Sequence, residues 1–130
     1  METISNQEFH RKDETFRIRG AAFHVYRCMG AGFLEAVYQE CLSIEFERRR
    51  IPFMALAPLS LTYDGAPLKQ RYIADFVCFN DVIVELKAAK SLFPEHRAQT
   101  LNYMRAAKMK IGLLMNFGSI PGIEIERFAL

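Results

Sequence analysis

Between about Glu14 and Met29, apolar residues recur every third or fourth position, at Ile18, Ala21, Ala22, Val25, Cys28 and Met29. That spacing is one face of a helix. Gly30-Ala31-Gly32 ends it, because glycine accepts the conformations found just past helix ends. A second helix is predicted from about Phe33 to Arg50, with Leu34, Val37, Tyr38, Cys41 and Leu42 on one side. Pro52 blocks its continuation. The period then changes. Phe53–Tyr63 reads as a strand interrupted near Pro58, which suits a sheet edge or a bulge because proline has no N–H to pair. Asp64-Gly65 signals a turn. Strands are predicted at about Lys69–Phe79 and Val82–Ala88, joined at Asn80-Asp81. Pro94 opens a helix to about Lys108, Ile111–Phe117 has the short apolar run of a buried strand, and Pro121-Gly122 turns into a last strand, Ile123–Phe128. The order α-α-β-β-β-α-β-β predicts an α/β fold: a hairpin set, a crossover helix and a buried strand in one sheet with helices on both faces.

Length and composition narrow this picture. A chain of 130 residues is one domain, long enough for a real core. Hydrophobic content of 51% with 25% charge is that of an ordinary globule. Residues 1–13, polar and charged, are expected to be a loose N-terminus, and residues 14–130 a single domain. No segment has the length of an apolar membrane span and none resembles a signal peptide, so no membrane association and a cytoplasmic location are expected. Three cysteines, Cys28, Cys41 and Cys78, are far apart and lack CxxC or CxxH spacing, which argues against zinc and for buried free thiols. A net charge of +2 does not by itself announce nucleic-acid binding. The clusters Arg48-Arg49-Arg50 and Arg105 to Lys110 suit helix ends equally well.

The candidate chemistry lies where charge interrupts apolar strands. Asp75 sits in Tyr72-Ile73-Ala74-Asp75-Phe76-Val77-Cys78-Phe79, and Glu85 and Lys87 sit in Val82-Ile83-Val84-Glu85-Leu86-Lys87. Charges are rare in such strands unless they are paired or bind a metal. Glu85 and Lys87, two apart, point the same way. A two-residue turn at Asn80-Asp81 would pair Asp75 with Leu86 and turn it away from Glu85. A three-residue loop, or one bulge, would bring Asp75 beside Glu85 or Lys87. The functional reading therefore requires an odd loop or a bulge. The alternative is a structural Glu–Lys pair with an exposed Asp.

Three further groups are weaker candidates. Glu35 and Tyr38 share a helix face in Gly32-x-x-Glu35-x-x-Tyr38, although a Glu in a first turn also simply suits the helix dipole. His96, Gln99 and Tyr103 form one polar stripe that suits phosphate or base contact as well as solvation. Asn116, inside an apolar strand, must find partners if buried.

Together these residues resemble a known pattern. Gly32-x-x-Glu35-x-x-Tyr38 resembles the signature of the GxxExxY protein family. The likeness runs on through Ala74-Asp75, Val84-Glu85-Leu86-Lys87, His96-Arg97-Ala98-Gln99, Leu101-Asn102-Tyr103 and Gly112 to Phe117. It spans about Phe16 to Phe128. That family is placed within the PD-(D/E)XK nuclease-like superfamily. The resemblance implies an αβββαβ core, a mixed central sheet flanked by helices. It implies Asp75 and Glu85 as metal ligands, Glu35 as the acidic residue of the first core helix that binds the metal through water or holds the nucleophilic water, and Lys87 as the residue that orients or activates water. Gln99-x-x-x-Tyr103 is similar to the Gln-x-x-x-Tyr motif of helicase-associated exonucleases. Ala74 stands where the signature proline would be.

The resulting expectation is a hydrolase: a Mg²⁺- or Mn²⁺-dependent nuclease acting on DNA. Glu35, Asp75, Glu85 and Lys87 would be catalytic; Tyr38, His96, Gln99 and Tyr103 would touch substrate. The resemblance also implies products with a 5′-phosphate and a 3′-hydroxyl. The modest charge suggests that grip comes from a homodimer or a protein partner. The alternative is a non-catalytic module that keeps the fold and binds nucleic acid or protein.

Overall fold

The structure is a computed structural model that describes residues 4–130, with side chains from residue 11 onward. Its elements in chain order are α1 (Ile4–Met29), α2 (Glu35–Arg48), β1 (Phe53–Tyr63), β2 (Ala66–Cys78), β3 (Val82–Lys87), α3 (Pro94–Ala106), β4 (Ile111–Asn116) and β5 (Glu124–Ala129). Element types and order follow the periodicities of the sequence. The main boundary to be corrected is the first. α1 begins at Ile4, ahead of the helix start expected at about Glu14. Gln7, Glu8, Arg11 and Lys12 are good helix formers, and a helix can continue on propensity where no apolar stripe marks it. The part of the expected loose terminus at residues 1–3 lies outside the described residues.

The five strands form one sheet in the order β1-β2-β3-β4-β5. β1–β2, β2–β3 and β4–β5 are antiparallel, whereas β3 and β4 are parallel because α3 carries the chain back across the sheet. α1 and α2 cover one face. Ile18, Ala22 and Val25 of α1 and Leu42 and Phe46 of α2 pack with Phe76, Val84, Leu86, Leu113 and Met115 of the sheet. α3 covers the other face, where Met104 packs with Ala57, Ala74 and Ile83. β4 is buried along its whole length, as its unbroken apolar run requires.

Two irregularities in β1 and β2 matter for function. The first is the loop after β2. Cys78 pairs with Val82, so Phe79, Asn80 and Asp81 make a three-residue connection. Phe79 and Asn80 both take positive φ, 54° and 61°, and Asp81 N–H donates to Cys78 O at 3.1 Å. The second lies within the strands. Phe76 and Cys78 belong to the cluster beneath α1 and α2, yet Tyr72 and Ala74 pack with Met104 of α3. In regular pleating all four would share a face. The alternation is therefore broken at Asp75. Across from it on β1, Leu56 adopts a φ of 50°, an uncommon and strained conformation for a bulky residue. Pro58 lies on the edge strand as expected; the kinks fall on either side of it, at Leu56 and between Ser60 and Thr62.

All three cysteines are free thiols, but only Cys78 is buried; Cys41 is half-buried and Cys28 exposed. This corrects the expectation of three buried thiols: Cys28 sits at the margin of the apolar stripe of α1, beside His24. Among the described residues no helix is long and apolar enough to cross a membrane.

Candidate active site

The three-residue loop fixes the site. Carried one step beyond Phe76↔Val84, the β2–β3 register sets Asp75 opposite Glu85. The regular ladder stops there and side chains replace it. Asp75 N–H donates to Glu85 Oε1 at 3.2 Å, and Leu86 N–H donates to Asp75 Oδ2 at 2.8 Å. In an extended strand the N–H and C=O of one residue point to the same side. The Leu86 carbonyl therefore points toward β2 and Asp75. Lys87 presents its carbonyl to the opposite neighbour, where Phe117 N–H donates to it at 2.8 Å.

Two residues not singled out from the sequence complete this centre. Gln39 of α2 donates from Nε2 to the Asp75 carbonyl at 3.3 Å. Tyr72 hydrogen-bonds the Glu85 carboxylate and stacks on Tyr103 of α3, with ring centroids 3.8 Å apart and planes 9° from parallel. A regular strand would turn Tyr72, three residues before Asp75, away from it, so only the break in pleating reveals the contact. Gln39 carried one available signal: it lies one helical turn after Glu35, on the same face.

The electrostatics are those of two carboxylates held close in a half-buried place. Burial pushes Glu85 up to about 7; the Asp75 charge adds to this, while hydrogen bonds from Tyr72 and Asp75 N–H and the charge of Lys87 oppose it. Burial likewise pushes the Tyr72 phenol up, followed by the neighbouring Glu85 charge. A divalent cation would relieve the opposition between Asp75 and Glu85. The donors at hand are hard oxygens: two carboxylates and the Leu86 carbonyl. That set suits Mg²⁺ or Mn²⁺, and Mg²⁺ keeps several waters and takes few protein ligands.

Not all the expected residues converge. Among the described residues no three His, Cys, Asp or Glu side chains come together as a metal cluster. Asp75 and Glu85 meet; Glu35 stands apart, exposed on the first turn of α2. It lies outside the Asp75–Glu85 pair, so any part it takes at a metal runs through water, as a water-mediated ligand or a holder of the nucleophilic water would. Tyr38 is corrected. It is fully buried, stacked on Phe117 at 4.6 Å, with its hydroxyl donating to Gly30 O at 2.6 Å and accepting from Phe33 N–H at 3.2 Å. It pins the loop before α2 instead of touching substrate. His96 is occupied at the start of α3, where its Nδ1 accepts from Phe93 N–H at 3.1 Å. Gln99 is exposed, one turn before Tyr103. Asn116 is fully buried and ties down the loop after β3: Oδ1 accepts from Ala89 and Gly118 N–H, and Nδ2 donates to Ala89 O and Glu124 Oε1.

A mixed five-stranded sheet with helices on both faces, opened at its centre by an Asp opposite a Glu-x-Lys, defines the nuclease-like α/β class. The chain belongs to the PD-(D/E)XK nuclease superfamily, whose family model matches residues 12–128. The crystal structure of SSO0001 is similar in fold, with a TM-score of 0.56 at 16% identity, covering 72% of this chain. The chain spans 50% of the length of that one. Among curated proteins there is no match.

Proposed function

We propose that the chain is a divalent-metal-dependent nuclease that hydrolyses phosphodiester bonds in DNA, and that it falls in the GxxExxY group of its superfamily. One observation carries this reading: the register that sets Asp75 across from Glu85, with Lys87 two residues on. A purely structural Glu–Lys pair has no need of the kinks and side-chain substitutions that hold Asp75 there.

Asp75 and Glu85, with the Leu86 carbonyl, would hold Mg²⁺ or Mn²⁺. When bound, the cation supplies charge to polarise the scissile phosphate and offset its developing negative charge. The remaining roles belong to the chain. Lys87 orients the attacking water and neutralises part of the phosphate charge. Tyr72 and the Asp75 N–H fix the Glu85 carboxylate, and Gln39 fixes the Asp75 backbone. Glu35 acts through water from the end of α2. Gln99 and Tyr103 border the groove on the α3 side, Gln99 free to meet the substrate and Tyr103 engaged with Tyr72. Hydrolysis leaves a 5′-phosphate and a 3′-hydroxyl. We place the protein in the cytoplasm, where its free thiols persist, and assign its grip on DNA to a second copy or a protein partner.

The test is cleavage of single-stranded, duplex and branched DNA in Mg²⁺ and Mn²⁺, with Lys87→Ala purified identically. Metal-dependent cutting lost in the variant supports the proposal; equal cutting by both removes Lys87 from the mechanism. One observation favours a second reading, a binding module without catalysis: Glu35 does not join the two carboxylates. Salt-sensitive DNA binding without cleavage in either metal would select it.

A further inference from the structure

α1 and α2 run antiparallel, joined by residues 30–34. Tyr38 meets Gly30 beside the connection, and farther from it His24 meets Glu45, with Nε2 lying 3.8 Å from Oε1. His24 and Cys28 are one turn apart on α1, and Cys41 and Glu45 one turn apart on α2. In an antiparallel pair, four residues forward on one helix match four back on the other. The register that sets His24 against Glu45 therefore sets Cys28 against Cys41. Both cysteines line one cleft of about 190 Å³, together with His24, Met29, Ile44 and Glu45. His24 Nε2 lies 3.5 Å from Cys28 Sγ.

We propose that Cys28 and Cys41 form an oxidisable dithiol, a modification site that takes a hydroperoxide and closes to a disulfide between α1 and α2. Cys28 is the exposed partner, with an imidazole at its sulfur, so it reacts first. Its thiolate attacks a peroxide oxygen and the O–O bond breaks. Cys28 becomes a sulfenic acid, and the leaving oxygen takes the thiol proton. Cys41 then attacks the Cys28 sulfur, the S–O bond breaks, and the hydroxide leaves as water with the Cys41 proton. Two thiols and one hydroperoxide yield one disulfide, one alcohol (or water) and one water. Burial, with Glu40 and Cys28 nearby, pushes the Cys41 thiol up, which suits a second, resolving partner. Cys78, on β2 and fully buried between the sheet and the two helices, takes no part.

The sequence makes the test direct. No Lys or Arg lies between Arg27 and Arg48, so a single tryptic peptide, Cys28 to Arg48, carries both thiols, and Cys78 falls on another. The reduced full-length protein is treated with hydrogen peroxide, blocked with N-ethylmaleimide and digested. The expected result is loss of two hydrogens from this peptide, reversed by dithiothreitol. Cleavage after Glu35 and Glu40 should leave the Cys28 and Cys41 fragments joined until reduced. Cys78→Ser should keep the bridge. Cys41→Ser should instead leave a Cys28 sulfenic acid that dimedone traps. Three results would overturn the proposal: both thiols still alkylated after peroxide, Cys28 over-oxidised while Cys41 stays a thiol, or Cys28 bridged to a second chain.

Discussion

Leu86 donates its backbone N–H to Asp75 Oδ2 at 2.8 Å, so a side chain of β2 stands where a ladder carbonyl would otherwise accept. The same Asp is thus both a structural acceptor and a candidate ligand, and the two roles separate by substitution. Asp75→Ala leaves the Leu86 N–H without its partner and should lower stability by about 1–3 kcal/mol. Asp75→Asn keeps an acceptor of the same shape and should cost less, while losing the charge that holds a cation. Urea unfolding of both variants, with and without Mg²⁺, checks this. Mg²⁺ should stabilise the native protein and neither variant.

Glu85 gives the protein a defined pH response. Burial pushes its carboxyl up from 4.5 to about 7, so the folded state keeps a proton that the unfolded chain has already released. The folded state then binds more protons in this window, and stability falls as pH rises from about 4.5 to about 7, levelling above. In metal-free buffer the urea midpoint of the native protein should decline across that window. Glu85→Gln should flatten the decline, and a parallel decline in the variant would assign it to other groups.

The Tyr72–Tyr103 stack supports Glu85 from α3. Tyr72→Phe keeps the stack and removes only the hydroxyl that favours the charged carboxylate, so Glu85 should titrate at still higher pH. Tyr103→Ala removes the stacking partner and should cost about 0.5–1.5 kcal/mol beyond the lost burial. Titration of Glu85 followed by carbon-detected NMR, with unfolding of Tyr103→Ala, distinguishes these contributions.

Asn116 holds the loop that follows Lys87. Asn116→Ala removes the partners of Ala89 N–H, Ala89 O and Gly118 N–H in a part-buried loop, and should destabilise by about 1–3 kcal/mol. Thermal unfolding measures it.

Most of the architecture was legible because each element carries its own period: three-to-four spacing in the helices, Pro52 and Pro94 at their limits, and an unbroken apolar run in β4. The odd loop between β2 and β3 was legible as a condition, since Asp75 meets Glu85 only with an extra residue in the connection, and Cys78↔Val82 meets that condition. What was not legible came from the same irregularity. Tyr72 reaches Glu85 because pleating breaks at Asp75, and Leu56 shows no sequence sign of a left-handed backbone. Helical spacing set Tyr38 on the apolar side of α2 but gave no sign that its hydroxyl binds the backbone of its own loop. For Glu35, helical spacing gives a face and not a reach, so its separation from the Asp75–Glu85 pair was not legible.

The central claim is that Asp75, Glu85 and Lys87 form a hydrolytic centre. The most direct measurement is single-turnover cleavage of labelled DNA with excess protein in Mg²⁺ or Mn²⁺, comparing the native chain with Lys87→Ala of the same fold by circular dichroism. The prediction is metal-dependent cutting that falls by at least about a hundredfold in the variant. Equal cutting by the two proteins, or none by the native chain with metal bound and every DNA form supplied, would contradict it.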